Sequence, residues 1–295
     1  MKIGVLTSSR ADYGIYKLLL SKLSKDDRFD LAIIVFGMHL QKQHGETIKE
    51  IESDGFGVIH KVQGMPINDM PVDISIGYGK LIIEFSNYWN DNQFDYVLAL
   101  GDRFEMSAAV QAGIPFGVLF AHLHGGETTL GAIDNIYRHQ ITLASKIHFV
   151  ATDIYRDKVI DIIGDSSKVF NVGALSIDGF NDLILPDWSE VRVKFGIPDK
   201  PFILVTFHPE TIQIARNELY SSIVFETLAN LCKANHIVIT LANADTMGKY
   251  YRDMAYMLKE KYSDSITLVD SFGKENYFSA MKSSKFLIGN SSSGI

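Results

Sequence analysis

The residues with the strongest claim to chemistry fall between Gly101 and His139. Gly101-Asp102-Arg103 follows an apolar run at 96–100, and His122-Leu123-His124-Gly125-Gly126-Glu127 follows another at 116–120. Asp134 and Arg138 stand one turn apart in the helical pattern that comes next. Nearer the N-terminus, Ser9-Arg10-Ala11-Asp12-Tyr13-Gly14 follows an apolar run at 3–6. Asp12, Asp102, Glu127 and Asp134 therefore lie past strand ends or at a helix start. Carboxylates drawn into one cleft push each other's pKa values apart, which prepares acid and base roles. Taken singly, Asp12 suits a helix N-cap and Asp134 a helix N-terminus. Asp134 with Arg138 also reads as a plain i,i+4 pair, worth about 0.2–0.5 kcal/mol.

Phosphate chemistry is the second signal. Arg10 and Arg103 each follow a strand, and a guanidinium holds phosphate oxygens bidentately. The competing reading of a lone arginine is a surface salt bridge. His208 precedes Pro209 past a strand at 202–205 and is a candidate phosphate contact. Gly289-Asn290-Ser291-Ser292-Ser293-Gly294 is a turn whose N–H groups and hydroxyls can cradle a phosphate. An ordinary strand–helix turn has the same composition. There is no P-loop lysine, and no G-x-G-x-x-G follows the first strand. His122 and His124 alternate at a strand end, so both are expected on one face. With Glu127 and Asp134 they would make a metal site, the lesser reading because no H-E-x-x-H pair accompanies them. G-x-S-x-G, kinase and Walker patterns are missing.

The elements that must position these residues alternate between short apolar strands and helices. Strands are expected at 3–6, 31–36, 58–62, 96–100, 116–120, 146–150 and 169–172. Helices are expected at 15–23, 46–52, 74–89 and 153–163, with a small-residue helix after Arg103. That alternation predicts a doubly wound parallel sheet. Alternation restarts after 186–187, with strands at 202–205, 236–241, 266–269 and 286–288 and helices at 218–234, 247–259 and 275–282. Two Rossmann-like domains are expected, 1–174 and 175–295, with a cleft between them and the second domain incomplete.

Apolar residues make up 46% of the 295 and charged residues 21%, a balance that excludes disorder. The net charge of −7 argues against general nucleic-acid or membrane-surface binding. The single cysteine, Cys232, excludes a disulfide framework and fits a reducing compartment. With no secretory signal pattern and no membrane-length apolar run, the cytoplasm is the expected location.

Six motifs in order carry a family resemblance. They are Ser9-Arg10-Ala11-Asp12-Tyr13-Gly14, Gly101-Asp102-Arg103-Phe104, His124-Gly125-Gly126-Glu127, Ile133-Asp134 with Arg138-His139, His208-Pro209-Glu210 and Gly289-Asn290-Ser291-Ser292. The chain resembles the hydrolysing UDP-N-acetylglucosamine 2-epimerases of sialic-acid-type sugar biosynthesis. The resemblance implies a GT-B-like fold and a metal-free, cofactor-free reaction. UDP-N-acetylglucosamine loses its C2 proton and UDP, and water adds to the glycal to give N-acetylmannosamine. It implies that Arg10 binds the UDP phosphates and that Asp12 lies near the sugar. Asp102, Glu127 and Asp134 become acid/base candidates, and Arg103 and Arg138 position sugar or phosphate. His208, Asn243, Ser291 and Ser292 face the nucleotide, and Phe272 sits by the uracil.

Non-hydrolysing relatives carry a glutamate where His124 stands, so the base role passes to Glu127 or His124. The resemblance also implies chain beyond Ile295, with an acidic residue for the ribose and a further arginine. The chain as written is then expected to bind UDP weakly and turn over slowly. A homodimer or homotetramer is implied as well. The competing functions are a non-hydrolysing epimerase, an epimerase for a modified or GDP-linked sugar, a GT-B glycosyltransferase, and a non-catalytic nucleotide-sugar binder.

Overall fold

The computed structural model describes residues 1–41, 47–65, 68, 70–179, 184–210, 214–242 and 247–291. The chain divides into two compact units. One comprises Met1–Ile67 and Val72–Phe180, the other Asn68–Pro71 and Asn181–Ile295.

In the first unit the order is β1 (Lys2–Thr7), α1 (Arg10–Leu23), β2 (Asp30–Val35), α2 (Ile48–Asp54), β3 (Val58–Lys61), α3 (Pro71–Asp91) and β4 (Tyr96–Leu100). Then come α4 (Phe104–Gly113), β5 (Phe120–Leu123), α5 (Asp134–Ala144), β6 (Ser145–Val150), α6 (Asp153–Ile163) and β7 (Val169–Asn171). The strands form one parallel sheet in the order β3-β2-β1-β4-β5-β6-β7. The order reverses between β1 and β4, where Ile3 lies beside Tyr96 and Val5 beside Leu98. Chain segments leave a switch point toward opposite faces, so the loops beyond its strand ends frame a crevice.

The central strands are buried on both sides, which is why they read as continuous apolar runs. Leu6, Ile34, Val97 and Ala99 pack with Phe85, Trp89 and Met106 from α3 and α4. Ile3, Val5, Ile33 and Val35 point the other way, against Tyr13, Tyr16 and Leu20 of α1 and Ile51 of α2.

Two elements differ from expectation at the site itself. α1 opens at Arg10, not at 15, because Ser9 is its N-cap. Asp12 is the third residue of the helix and accepts a hydrogen bond from the Ser9 N–H. It is thus not an N-cap: a cap reaches forward to the helix N–H groups, whereas Asp12 reaches back. β5 begins at Phe120, not at 116. Ile114–Phe116 close a 3-10 turn that ends at left-handed Gly117, so the strand carries His122 within it.

The second unit runs α7 (Trp188–Lys194), β8 (Phe202–Thr206), α8 (Asn217–Leu231), β9 (His236–Thr240), α9 (Gly248–Lys261), β10 (Ile266–Val269), α10 (Lys274–Ser283) and β11 (Leu287–Gly289). Its four strands are parallel in the order β10-β9-β8-β11. α7 was not expected. The helix depends on Asp187, whose side chain accepts from the Ser189 N–H, and on Trp188 stacked on Phe202 at 4.8 Å. β11 runs so close to β8 that a Cβ on Gly289 would stand 2.0 Å from the Thr206 carbonyl oxygen, so only glycine fits. Both units are Rossmann-like α/β sheets, the fold class expected. No helix among the described residues is long and apolar enough to cross a membrane.

Candidate active site

α5 turns Arg138 and Thr142 inward. The Arg138 side chain is only 5% exposed, yet it carries a full charge, so its partners decide its role. Its Nη2 donates to Asp102 Oδ2, its Nη1 donates to the His124 carbonyl, and Nη1 also lies 3.8 Å from Glu127 Oε2. One planar guanidinium thus ties the loops after β4 and β5 to α5, a task that suits its fixed fork of donors. Asp102 and Glu127 keep part of their carboxylates open to solvent, so a ligand can reach them.

The β5 loop owes its shape to a reversal of the backbone. His124 takes φ 62°, a left-handed conformation uncommon for a non-glycine residue. Gly126 follows at φ 80°, where a Cβ would stand 2.4 Å from the Tyr155 carbonyl oxygen. The turn brings the His124 ring to Glu127, with Nδ1 donating to Oε1 at 2.6 Å. Its Nε2 is buried and has no hydrogen-bond partner. A ring held through Nδ1–H by a carboxylate presents a lone pair at Nε2, the form a general base requires.

The expected sharing of one face by His122 and His124 fails, because β5 ends at Leu123 and the left-handed residue breaks the alternation. His122 instead points into the core, with Nε2 bonded to the Gly101 carbonyl at 2.8 Å and Nδ1 to Thr142 Oγ1 at 3.0 Å. Among the described residues no group of three or more His, Cys, Asp or Glu side chains is arranged to hold a metal ion.

Asp12 also departs from its expected role. It is 4% exposed and accepts from Thr7 Oγ1, the Ser8 N–H, Ser8 Oγ and the Ser9 N–H, all at 2.8–3.0 Å. Thr7 gives its only proton to Asp12, so it accepts from His39 Nε2, and His39 Nδ1 bonds Thr47 Oγ1. Burial alone raises the Asp12 pKa, but neighbouring His39 and the Ser8 and Ser9 N–H groups outweigh it and hold the carboxyl below the usual range. Four donors use up a carboxylate's lone pairs, leaving none for a substrate proton. Asp12 is an anchor for the Ser8-Ser9-Arg10 loop, not an acid or base.

Arg10 opens α1 directly from that loop. Arg103 donates through Nε to Glu105 Oε1 at 2.7 Å and sets Nη2 3.8 Å from Met38 Sδ. Glu105, His39 and Thr7 were not singled out in the sequence. Glu105 could have been: a carboxylate in the first turn of the otherwise small and apolar α4 signals a buried partner. Asp134 lies in the first turn of α5. Burial, then Tyr78, Asp134 and Glu105, raise the pKa of Tyr137.

A profile described as UDP-N-acetylglucosamine 2-epimerase matches residues 21–295. The chain belongs to the UDP-N-acetylglucosamine 2-epimerase family. Over its whole length it is 33% identical to the GDP/UDP-N,N'-diacetylbacillosamine 2-epimerase (hydrolyzing) of Campylobacter jejuni, of which it covers 76%. It is 35% identical to polysialic acid biosynthesis protein P7 of Escherichia coli, of which it covers 75%. The solved UDP-GlcNAc 2-epimerase of Methanocaldococcus jannaschii, in complex with UDP-GlcNAc and UDP, superposes with a TM-score of 0.77 at 16% identity. The match covers 99% of this chain and 79% of that one. The likeness establishes the GT-B-like fold.

In the second unit of this epimerase-family chain, Asn290 clamps the loop after β8. Its Oδ1 accepts from the His208 N–H and its Nδ2 donates to the His208 carbonyl, both at 2.8 Å. His208 and the segment leading to Ser291 are therefore held side by side. Phe272 does not present a stacking face: its ring is 4% exposed and packs on Phe195 at 4.6 Å and Tyr277 at 6.2 Å. α10 starts just after Phe272 and folds its ring under the helix. Asn243 and Ser292 lie outside the described residues.

The buried histidines of the first unit give this epimerase a predictable acid sensitivity. Burial is the main cause that pushes His122 down to about 3 and His148 down to about 4. In the unfolded chain both titrate near 6.5. As pH falls below that value the unfolded state binds protons that the folded state refuses, so stability declines. Between pH 7.5 and 5 each histidine should cost about 2 kcal/mol. Urea unfolding followed by Trp89 fluorescence in a Trp188→Phe background measures this. Equal midpoints at the two pH values would contradict uncharged burial.

Proposed function

We propose that the chain is a hydrolysing 2-epimerase that converts UDP-N-acetylglucosamine and water to N-acetylmannosamine and UDP. The observation that carries this reading is the Asp102–Arg138–His124–Glu127 cluster past β4 and β5, in a chain whose whole length matches a hydrolysing 2-epimerase. In the first step His124 Nε2 takes the C2 proton, the C1–O bond breaks, and UDP departs with the bonding electrons, leaving the glycal. Glu127 steadies the imidazolium that forms. In the second step water adds its hydroxyl at C1 and a proton reaches C2 from the opposite side, with Asp102 or Asp134 as the acid. Arg138 keeps Asp102 and Glu127 in register, and Arg10, Arg103, His208, Ser291 and Ser292 bind the phosphates and sugar.

A second reading, an epimerase for a modified nucleotide sugar, has specific support: the Campylobacter relative is a GDP/UDP-N,N'-diacetylbacillosamine 2-epimerase (hydrolyzing). The enzyme works in the cytoplasm, with no cofactor, as a homodimer or homotetramer. Exposed Ile76 and Ile83 on α3 and Ile136 and Leu143 on α5 support self-association.

Incubating the chain with each nucleotide sugar in D2O and following products by NMR tests the proposal. Equal amounts of free UDP and N-acetylmannosamine, with deuterium at C2, are expected. UDP-N-acetylmannosamine without free UDP would move the assignment to a non-hydrolysing epimerase. Release of UDP only on addition of a sugar acceptor would make it a glycosyltransferase.

A further inference from the structure

His122 is a fully buried imidazole that the proposed chemistry does not use. Its place in the fold is specific. The β4–β5 ladder pairs Leu100 with Leu123, and its last bond runs from the Gly101 N–H to the Leu123 carbonyl. Asp102 therefore stands one residue beyond the reach of the sheet. What ties it down is the Arg138 fork on α5. One attachment fixes a distance but leaves a hinge.

A second strut runs parallel to it. His122 joins the carbonyl of Gly101, the residue before Asp102, to the hydroxyl of Thr142, one turn beyond Arg138 on the same helix. The chain reaches His124 two residues further on, just past the end of β5 at Leu123. His122 thus sits where β4, β5 and α5 meet, in contact with the neighbour of each reacting group.

The chemistry of the partners fixes the proton. A carbonyl only accepts, so Nε2 carries hydrogen and donates to Gly101. An uncharged ring then has its lone pair at Nδ1, and Thr142 must give its hydroxyl proton there. The Arg138 carbonyl, 2.9 Å from the same hydroxyl, competes for that proton. A charged ring would reverse the Thr142 bond and set a buried cation near the Arg138 guanidinium. Burial opposes that first, and Arg138, His148 and His124 oppose it further.

We infer that His122 is a positioning residue of the reaction: its uncharged ring, braced between Gly101 and Thr142, sets the orientation of Asp102 relative to Arg138 and His124. A displacement of about 1 Å in such a group can cost about a hundredfold in rate. The inference rests on the proposed activity, so the test separates the two.

His122→Phe removes both hydrogen bonds, His122→Gln keeps an N–H within reach of Gly101, and Thr142→Val removes the far end of the strut. His122→Phe is expected to lower kcat about a hundredfold with KM changed less than about threefold. His122→Gln should recover most of that loss, and Thr142→Val should fall between. Two NMR readouts need no turnover. The His122 ring should keep the Nε2–H tautomer from pH 8 to 5, and Arg138 guanidinium N–H exchange should quicken about tenfold or more in Thr142→Val and in His122→Phe.

A folded His122→Phe enzyme with kcat within threefold of wild type overturns the inference. So does a His122→Gln variant no better than His122→Phe, unchanged Arg138 exchange, or an imidazolium signal above pH 5. If His122→Phe does not fold, Thr142→Val exchange and the ring tautomer decide. A wild-type chain that releases no UDP from either sugar sinks the functional reading alone, because the exchange and tautomer results still decide whether the strut exists.

Discussion

Arg138→Met is expected to lower kcat by about three orders of magnitude and to destabilise the first unit by about 3–5 kcal/mol. Methionine fills a similar volume, so the loss is not a packing effect. It leaves the Asp102 carboxylate without its partner and the His124 carbonyl without a donor, both in a site that is largely closed to water. A group stripped of its partner pays its full desolvation cost, which exceeds the net worth of the original bond. Arg138→Lys separates charge from geometry. A lysine keeps the charge but cannot donate in parallel to an acid on β4 and a carbonyl on β5. It should retain most of the stability and still lose about a hundredfold in kcat. Asp102→Asn in the Arg138→Met background completes a cycle: if the two groups act as one, the double variant is no slower than Arg138→Met alone. Turnover by UDP release and urea midpoints read both effects. Turnover by Arg138→Met within tenfold of wild type would remove the guanidinium from the centre of the site.

Much of that cluster is legible in the sequence, and the reason is physical. A strand buried on both faces reads as an apolar run, so its end is visible, and polar residues just past the end must face the crevice. Asp102, His124 and Glu127 were found in that way. Which group each would hold was not legible. Arg138 bonds Asp102 across 36 positions, and nothing local announces such a pairing. Local pattern also misled at Asp12. Its spacing from the strand is that of a site residue, but its fate depends on His39 and Thr47, delivered by a turn after β2 and the start of α2. The His124-Gly125-Gly126 sequence marks a turn without saying that the histidine takes the left-handed position. The boundaries of β5 moved for the same kind of reason: Pro115 and Gly117 punctuate a stretch that hydrophobicity alone counts as strand. Phe272 looked like a base platform because it follows a strand, whereas the packing of α10 claims its ring for the core.

The left-handed turn also dictates how the proton-moving pair should be tested. His124→Ala would confound two effects, since alanine at φ 62° adds backbone strain of about 1 kcal/mol. Asparagine accepts that conformation, so His124→Asn removes the base at little structural cost. It should lower kcat by a thousandfold or more while UDP affinity and thermal midpoint hold nearly constant. Glu127→Gln is the sharper experiment. The ring now donates from Nδ1 to a carboxylate oxygen 2.6 Å away, which leaves Nε2 without a proton. An amide can rotate to donate its own N–H to Nδ1, and the ring proton then moves to Nε2, where a base needs its lone pair. The tautomer is reversed although the side chains barely move, and losses of about 10⁴ accompany such a reversal. The expected result for Glu127→Gln is a fall in kcat of about 10²–10⁴, with unchanged UDP binding by calorimetry. C2 deuterium incorporation from D2O should slow in proportion, because no deuteron can reach C2 until the elimination has formed the glycal. If Glu127→Gln keeps wild-type kcat, the His124–Glu127 pair does not move the C2 proton, and Asp102 and Asp134 inherit that step.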